Sequence, residues 1–139
     1  MRSLVALPLC ILMAAACAST PAETARAAAR EQALSDQLAT RLAGLTPGTA
    51  TTCLPLTARS DVQTRGYGST ILYVASRNLV FRNDTTGGCE NIARGDALVS
   101  VQHEGRACRG DIATTVDTTS RIQTGSCALG DFIPYRRAK

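Results

Sequence analysis

Apolar and polar positions fall into three regimes along the chain. Leu4 to Met13 form a short apolar run interrupted by Pro8, and residues 20–43 carry leucines at helical spacing among Ala, Arg, Glu and Gln. Beyond Cys53 the apolar residues come in brief runs, with turn residues about every eight to twelve positions, the signature of short antiparallel strands. Arg2, the apolar run and Ala14-Ala15-Ala16 together have the layout of an export signal. The run is too short to cross a bilayer, which takes about 20 apolar residues.

In the second regime Thr20-Pro21-Ala22-Glu23 predicts a helix start: Thr as N-cap, Pro at the first helical position and Glu closing a capping box. Good helix formers continue to Ala43, and Gly44 stands where a helix stops. Leu34, Leu38 and Leu42 make one narrow apolar stripe. The helix is either an exposed spacer or docks by that stripe. Thr46-Pro47-Gly48-Thr49 reads as a linker. The expected divisions are a signal over residues 1–16, Cys17 with a helical spacer over 17–48, and a β domain over 49–139.

The third regime predicts about six strands: Cys53 to Leu56, Ser69 to Ala75, Leu79 to Arg82, Ala97 to His103, Arg106 to Val116 and Cys127 to Tyr135. Arg77-Asn78 and Glu104-Gly105 are hairpin turns, Asn83 to Gly88 is a loop, and Pro134 requires an edge or a bulge. The fold class is mainly β, a small disulfide-bonded antiparallel barrel or sandwich. Closure into a barrel would remove the strand edges. Three Gly-Asp pairs, Gly95-Asp96, Gly110-Asp111 and Gly130-Asp131, each open such a run. They are expected to be structural turns, with Gly taking positive φ and the Asp carboxylate holding backbone N–H groups just beyond.

Composition narrows the setting more than the chemistry. Lys and Arg number 15 against 11 Asp and Glu, a net charge of +4, and the cations are spread among the acids. Trp is absent, so neither the charge pattern nor stacking platforms point to nucleic acid. Cys53, Cys89, Cys108 and Cys127 form an even set with no C-x-x-C spacing, which indicates two disulfides in an oxidising compartment and no metal site. Three pairings are open; tying the first strand to the last favours Cys53–Cys127 with Cys89–Cys108.

Candidate chemistry is sparse. His103 is the single histidine, flanked by Gln102 and Glu104, and no G-x-S-x-G, H-E-x-x-H or S-x-x-K motif occurs. Catalytic residues, cofactors and metal ligands are therefore not assigned. Arg94-Gly95-Asp96 and Arg109-Gly110-Asp111 spell an adhesion tripeptide, but the recurring turn accounts for both copies. Asn83-Asp84-Thr85 spells a glycosylation acceptor, which a bacterial envelope protein leaves unused. Arg136, Arg137 and Lys139 form a basic tail suited to anionic lipid headgroups.

Ala14-Ala15-Ala16-Cys17 resembles a bacterial lipoprotein box, which makes Cys17 the candidate for lipidation. Ala18-Ser19 after it implies sorting to the outer membrane, on the periplasmic side. Ordinary cleavage, giving a soluble periplasmic or secreted protein, is the alternative. Ala107-Cys108-Arg109-Gly110-Asp111 and Cys127-Ala128-Leu129-Gly130-Asp131-Phe132-Ile133-Pro134-Tyr135, with Gly88-Cys89, resemble a family of short exported proteins and lipoproteins of Gram-negative bacteria, frequent in sphingomonads. That family is a domain of unknown function, so the resemblance implies the envelope and no catalytic residue. The expected function is a non-enzymatic binding or structural module held to the membrane by its lipid, with an envelope protein or anionic lipid as partner. The alternative is a small periplasmic hydrolase or enzyme inhibitor using His103 or the Asn83 to Gly88 loop. An inhibitor of lysozymes is disfavoured, because those enzymes are cationic and so is this chain.

Overall fold

A capping box at Thr20 opens the first helix. In the computed structural model, which describes residues 19–55, 62–102 and 105–138, the Glu23 N–H donates to Thr20 Oγ1 (3.2 Å) and the Thr20 N–H donates to Glu23 Oε2 (2.8 Å). Helix α1 (Pro21–Leu42) follows, and Gly44 leaves it at φ 74°. Leu34, Leu38 and Leu42 are half-buried and no residue of α1 is fully buried, so the stripe touches the rest of the chain without entering its core.

Among the described residues, eight strands form two antiparallel sheets. The strands β1 (Leu45–Pro47), β2 (Gln63–Tyr67), β3 (Thr70–Ser76), β4 (Leu79–Asp84) and β8 (Phe132–Arg137) make the first, in the order β1-β8-β4-β3-β2. The second is β5 (Ala97–Ser100), β6 (Ile112–Val116) and β7 (Gln123–Ala128), in sequence order. A 3₁₀ helix, Glu90–Arg94, leads into β5. The sheets are not closed into a barrel, which corrects that part of the expectation. They share one core: Ile71, Tyr73, Phe81 and Phe132 from the first, Ala113 and Cys127 from the second, with Leu54, Cys89, Ile92, Ala107 and Leu129 between them.

Several expected boundaries move. Thr46 and Pro47 of the expected linker, together with Leu45, pair as an edge strand with β8. β2 has no apolar alternation to announce it, and forms because its backbone pairs with β3 from Gln63↔Val74 to Tyr67↔Thr70. Cys53 makes only a single bridge, to Cys108. The run from Cys127 to Tyr135 breaks at Leu129-Gly130-Asp131 into β7 and β8, which belong to different sheets. Pro134 lies in a strand with neighbours on both sides, neither edge nor bulge. Its carbonyl faces β1, where it accepts the Gly48 N–H (2.7 Å), so its missing N–H falls beyond the end of that short strand and the β4 ladder is kept.

One buried side chain holds the break between β7 and β8. Asn83, in β4 rather than the expected loop, is 0% exposed. Its Oδ1 accepts the Gly130 N–H (2.9 Å), and its Nδ2 donates to the carbonyls of Gly130 (2.8 Å) and Asp131 (3.3 Å). Gly130 does not have positive φ, contrary to expectation; it is needed because a Cβ there would collide with the Asp84 carbonyl oxygen. Gly95 (φ 103°) and Gly110 (φ 89°) do adopt the left-handed conformation.

The disulfides join Cys53 to Cys108 and Cys89 to Cys127. The favoured pairing was the other one. Thr51 to Leu54 leaves β8 after one bridge and crosses to residues 107–109: the Leu54 N–H donates to the Ala107 carbonyl (2.8 Å) and the Arg109 N–H to the Thr52 carbonyl (2.7 Å). That crossing puts Cys53 opposite Cys108, while Cys127 points from β7 into the core beside Cys89. Each closed loop is long enough to contribute about 2 to 4 kcal/mol.

Peptide mapping of the oxidised protein is expected to yield Cys53–Cys108 and Cys89–Cys127 fragments; a Cys53–Cys127 fragment would refute the seam described above. Asn83→Ala leaves the Gly130 N–H and carbonyl buried without the amide, and is expected to cost about 1 to 3 kcal/mol in thermal or urea unfolding. Asp131→Ala, which removes only a solvent-facing ion pair to Arg109, is expected to cost less than about 1 kcal/mol.

Candidate functional site

The three Gly-Asp pairs share a spelling and not a geometry. The Asp111 carboxylate accepts the Cys108 N–H (2.8 Å), three residues upstream. Asp131 pairs with the Arg109 guanidinium (Nη1 to Oδ2, 3.2 Å). Asp96 accepts a hydrogen bond from the Thr124 hydroxyl, which also meets Thr115 Oγ1 (2.9 Å). The second and third pairs are brought together, since the Gly110 N–H donates to the Leu129 carbonyl (2.8 Å) and the Leu129 N–H to the Asp111 carbonyl (3.0 Å). The first lies apart, at the end of the 3₁₀ helix.

Besides Asp111, Asp117 holds turn N–H groups with its carboxylate, here those of residues that follow it. Its Oδ1 accepts from the Thr119 N–H (3.0 Å), the Ser120 N–H (2.6 Å) and the Ser120 hydroxyl (2.9 Å). The Ser120 bonds, and then that of Thr119, hold its carboxyl below the usual range. The signal was present as Asp117-Thr118-Thr119-Ser120, a cluster of turn formers between two strands.

The loop assigned to a working face is structural as far as Thr86. Beyond Asn83, the Thr86 N–H donates to the Ala128 carbonyl (3.1 Å) and the Ala128 N–H to Thr86 Oγ1 (3.0 Å), which stitches this segment to β7. Cys17 and His103 lie outside the described residues. Among the described residues no group of three His, Cys, Asp or Glu is placed to hold a metal ion.

The concavity that does combine polar groups with an apolar floor lies between β2 and β5. It has a volume of about 350 Å³ and is lined by Leu54, Val62, Thr64, Tyr73, Leu98, Ser100, Gln102 and Ala107. Alternation delivers these residues: Leu98, Ser100 and Gln102 are two apart along β5 and its continuation, and Val62 and Thr64 two apart along β2. Tyr73 is only 6% exposed, its ring packed edge-on against Phe132 with centroids 5.3 Å apart. Burial pushes the phenol well above the usual tyrosine range, and the negative charge of Asp111 adds to the shift. A phenol so held stays neutral and can donate or accept a hydrogen bond, but offers no phenolate. Among the described residues every lining side chain is uncharged. The arrangement suits binding of an uncharged ligand; in the sequence the alternation alone hints at it, because Tyr73 reads as one more apolar strand position.

No protein-family model, curated protein or solved structure matches this chain.

Alkaline titration followed by tyrosine absorbance checks the buried phenol. Since the folded state keeps Tyr73 protonated while an unfolded tyrosine ionises near pH 10, the stability contributed by this group is present below that pH and is lost as pH rises above it. The expected outcome is a late component of the absorbance change that coincides with alkaline unfolding and is missing in Tyr73→Phe.

Proposed function

We propose that the protein is an exported lipoprotein of the bacterial cell envelope, anchored through Cys17 to the outer membrane on its periplasmic side, whose β domain is a non-enzymatic binding or structural module. The observation that carries this reading is the pair of disulfides fastening the core, since such bridges persist in oxidising compartments. The export pattern ahead of Cys17 supports it independently. No helix among the described residues is long and apolar enough to cross a membrane, so attachment in this reading is by lipid. The short exported family that the Cys-Arg-Gly-Asp and Cys-Ala-Leu-Gly-Asp motifs resemble fits the same setting.

α1 has a role in this scheme. Its 22 residues span about 33 Å at 1.5 Å per residue, and Pro21 to Ala33 are exposed throughout. A lipid on Cys17 would thus hold the β domain off the membrane by a stiff spacer. Arg136 and Arg137, exposed at the end of β8, are available to an anionic headgroup or an acidic envelope protein. The hydrolase reading depends on His103, and no described residue stands in for it.

Metabolic labelling with a palmitate analogue tests the anchor. The wild-type protein should be labelled and recovered in the outer-membrane fraction, while Cys17→Ser should be unlabelled and released. An unlabelled wild type in the soluble fraction overturns the proposal.

A further inference from the structure

Among the described residues, the backbone bonds that join the two sheets lie along one side. There Thr51 exchanges both backbone hydrogen bonds with Phe132 (2.9 and 2.8 Å), the next residues cross to Ala107 and Arg109, and Thr86 bonds Ala128. On the other side lie the free edges β2 and β5. The 3₁₀ helix closes this gap at one end, packed so tightly on β2 that a Cβ on Gly66 would come within 2.7 Å of the Ala93 nitrogen. Away from Gly66 the gap opens into the cleft over Tyr73.

The edges differ in how they are protected. β1 has three residues and ends in Pro47, β2 carries the charge of Arg65 at its middle, and β7 carries Thr86 on its outer side. From Ala97 to Gln102 the β5 edge has no proline and no charge, and no other described strand pairs with its outer side. Edges are normally blunted by such devices, and an unblunted one is a template for a further strand. Here the template borders a cleft whose lining, among the described residues, has no charge, in a chain with 15 cationic and 11 acidic residues.

We propose that this cleft binds an extended, uncharged peptide segment of a partner protein, which adds as a strand along β5. Its backbone pairs with the free N–H and C=O groups of β5, and alternate side chains enter between Leu98, Ser100 and Gln102 on one side and Val62 and Thr64 on the other. Tyr73 offers its hydroxyl from the floor. A charged side chain would lose its hydration there against described lining residues that offer it no charge in direct contact, which selects for neutral sequences. The inference rests on the reading of the β domain as a binding module and names the class of partner; the Cys17 labelling outcome is independent of it.

The test is fluorescence anisotropy with the oxidised full chain and an arrayed set of labelled, end-capped peptides about six residues long, built from Thr, Val, Ser, Leu and Tyr. Saturable binding by members of the set is expected. Alternate N-methylation of the backbone, or Lys or Glu at alternate positions, should weaken the best binder by at least about tenfold. Ser100→Lys and, at an exposed position where folding is safe, Gln102→Lys should weaken it similarly. Ile122→Lys, which alters an exposed apolar residue at the β6–β7 turn, should not. The proposal is overturned if no neutral peptide saturates, if N-methylated peptides bind equally, if Ile122→Lys weakens binding as much as the cleft variants, or if a neutral N-acetylglucosamine oligosaccharide displaces the peptide.

Discussion

The amide of Asn83 occupies the point where the chain passes from one sheet to the other, and both sheets depend on it for their relative placement. β7 and β8 are consecutive in sequence yet belong to different sheets, so the bend between them must bury backbone groups that neither ladder can pair. The three hydrogen bonds from Asn83 to Gly130 and Asp131 satisfy those groups, and the bare Gly130 lets β4 approach closely enough to make them. A buried polar side chain is tolerated because it is fully paired. A hydrophobic residue of similar size would fill the space and leave the bend unsatisfied.

Around that point the cysteines do complementary work. Cys89–Cys127 fixes the start of the 3₁₀ helix to β7 inside the core, and Cys53–Cys108 fixes the crossing segment outside it. Both act on the side where the sheets are already stitched by backbone bonds. The opposite side, between β2 and β5, has neither kind of fastening among the described residues away from the 3₁₀ helix, and it is there that the cleft opens.

Local chemistry was legible in the sequence where a few neighbouring residues decide the outcome. The capping box at Thr20, the hairpin at Arg77-Asn78 and the positive φ of Gly95 and Gly110 are of that kind. The misses are all non-local. β2 is polar and is made a strand by the register of β3; the disulfide pairing follows from a crossing that no spacing reveals; Asn83 looked like a loop residue because its partners lie 47 and 48 positions away. The cleft was hidden for the same reason, since its two walls come from strands more than 30 residues apart. A buried tyrosine and a half-buried serine carry no mark of their surroundings until both sheets are in place.

The bridge between Thr51 and Phe132 spans 81 positions. It sets an order of events during biogenesis. Contacts this distant in sequence form late and slowly, and the first sheet cannot acquire its β8 strand until nearly the whole chain has emerged. Until then β3 and β4 stand as an apolar hairpin with Ile71, Leu72, Val80 and Phe81 uncovered. In that interval the hairpin lacks the cover that Phe132 and the β8 ladder give it in the folded domain.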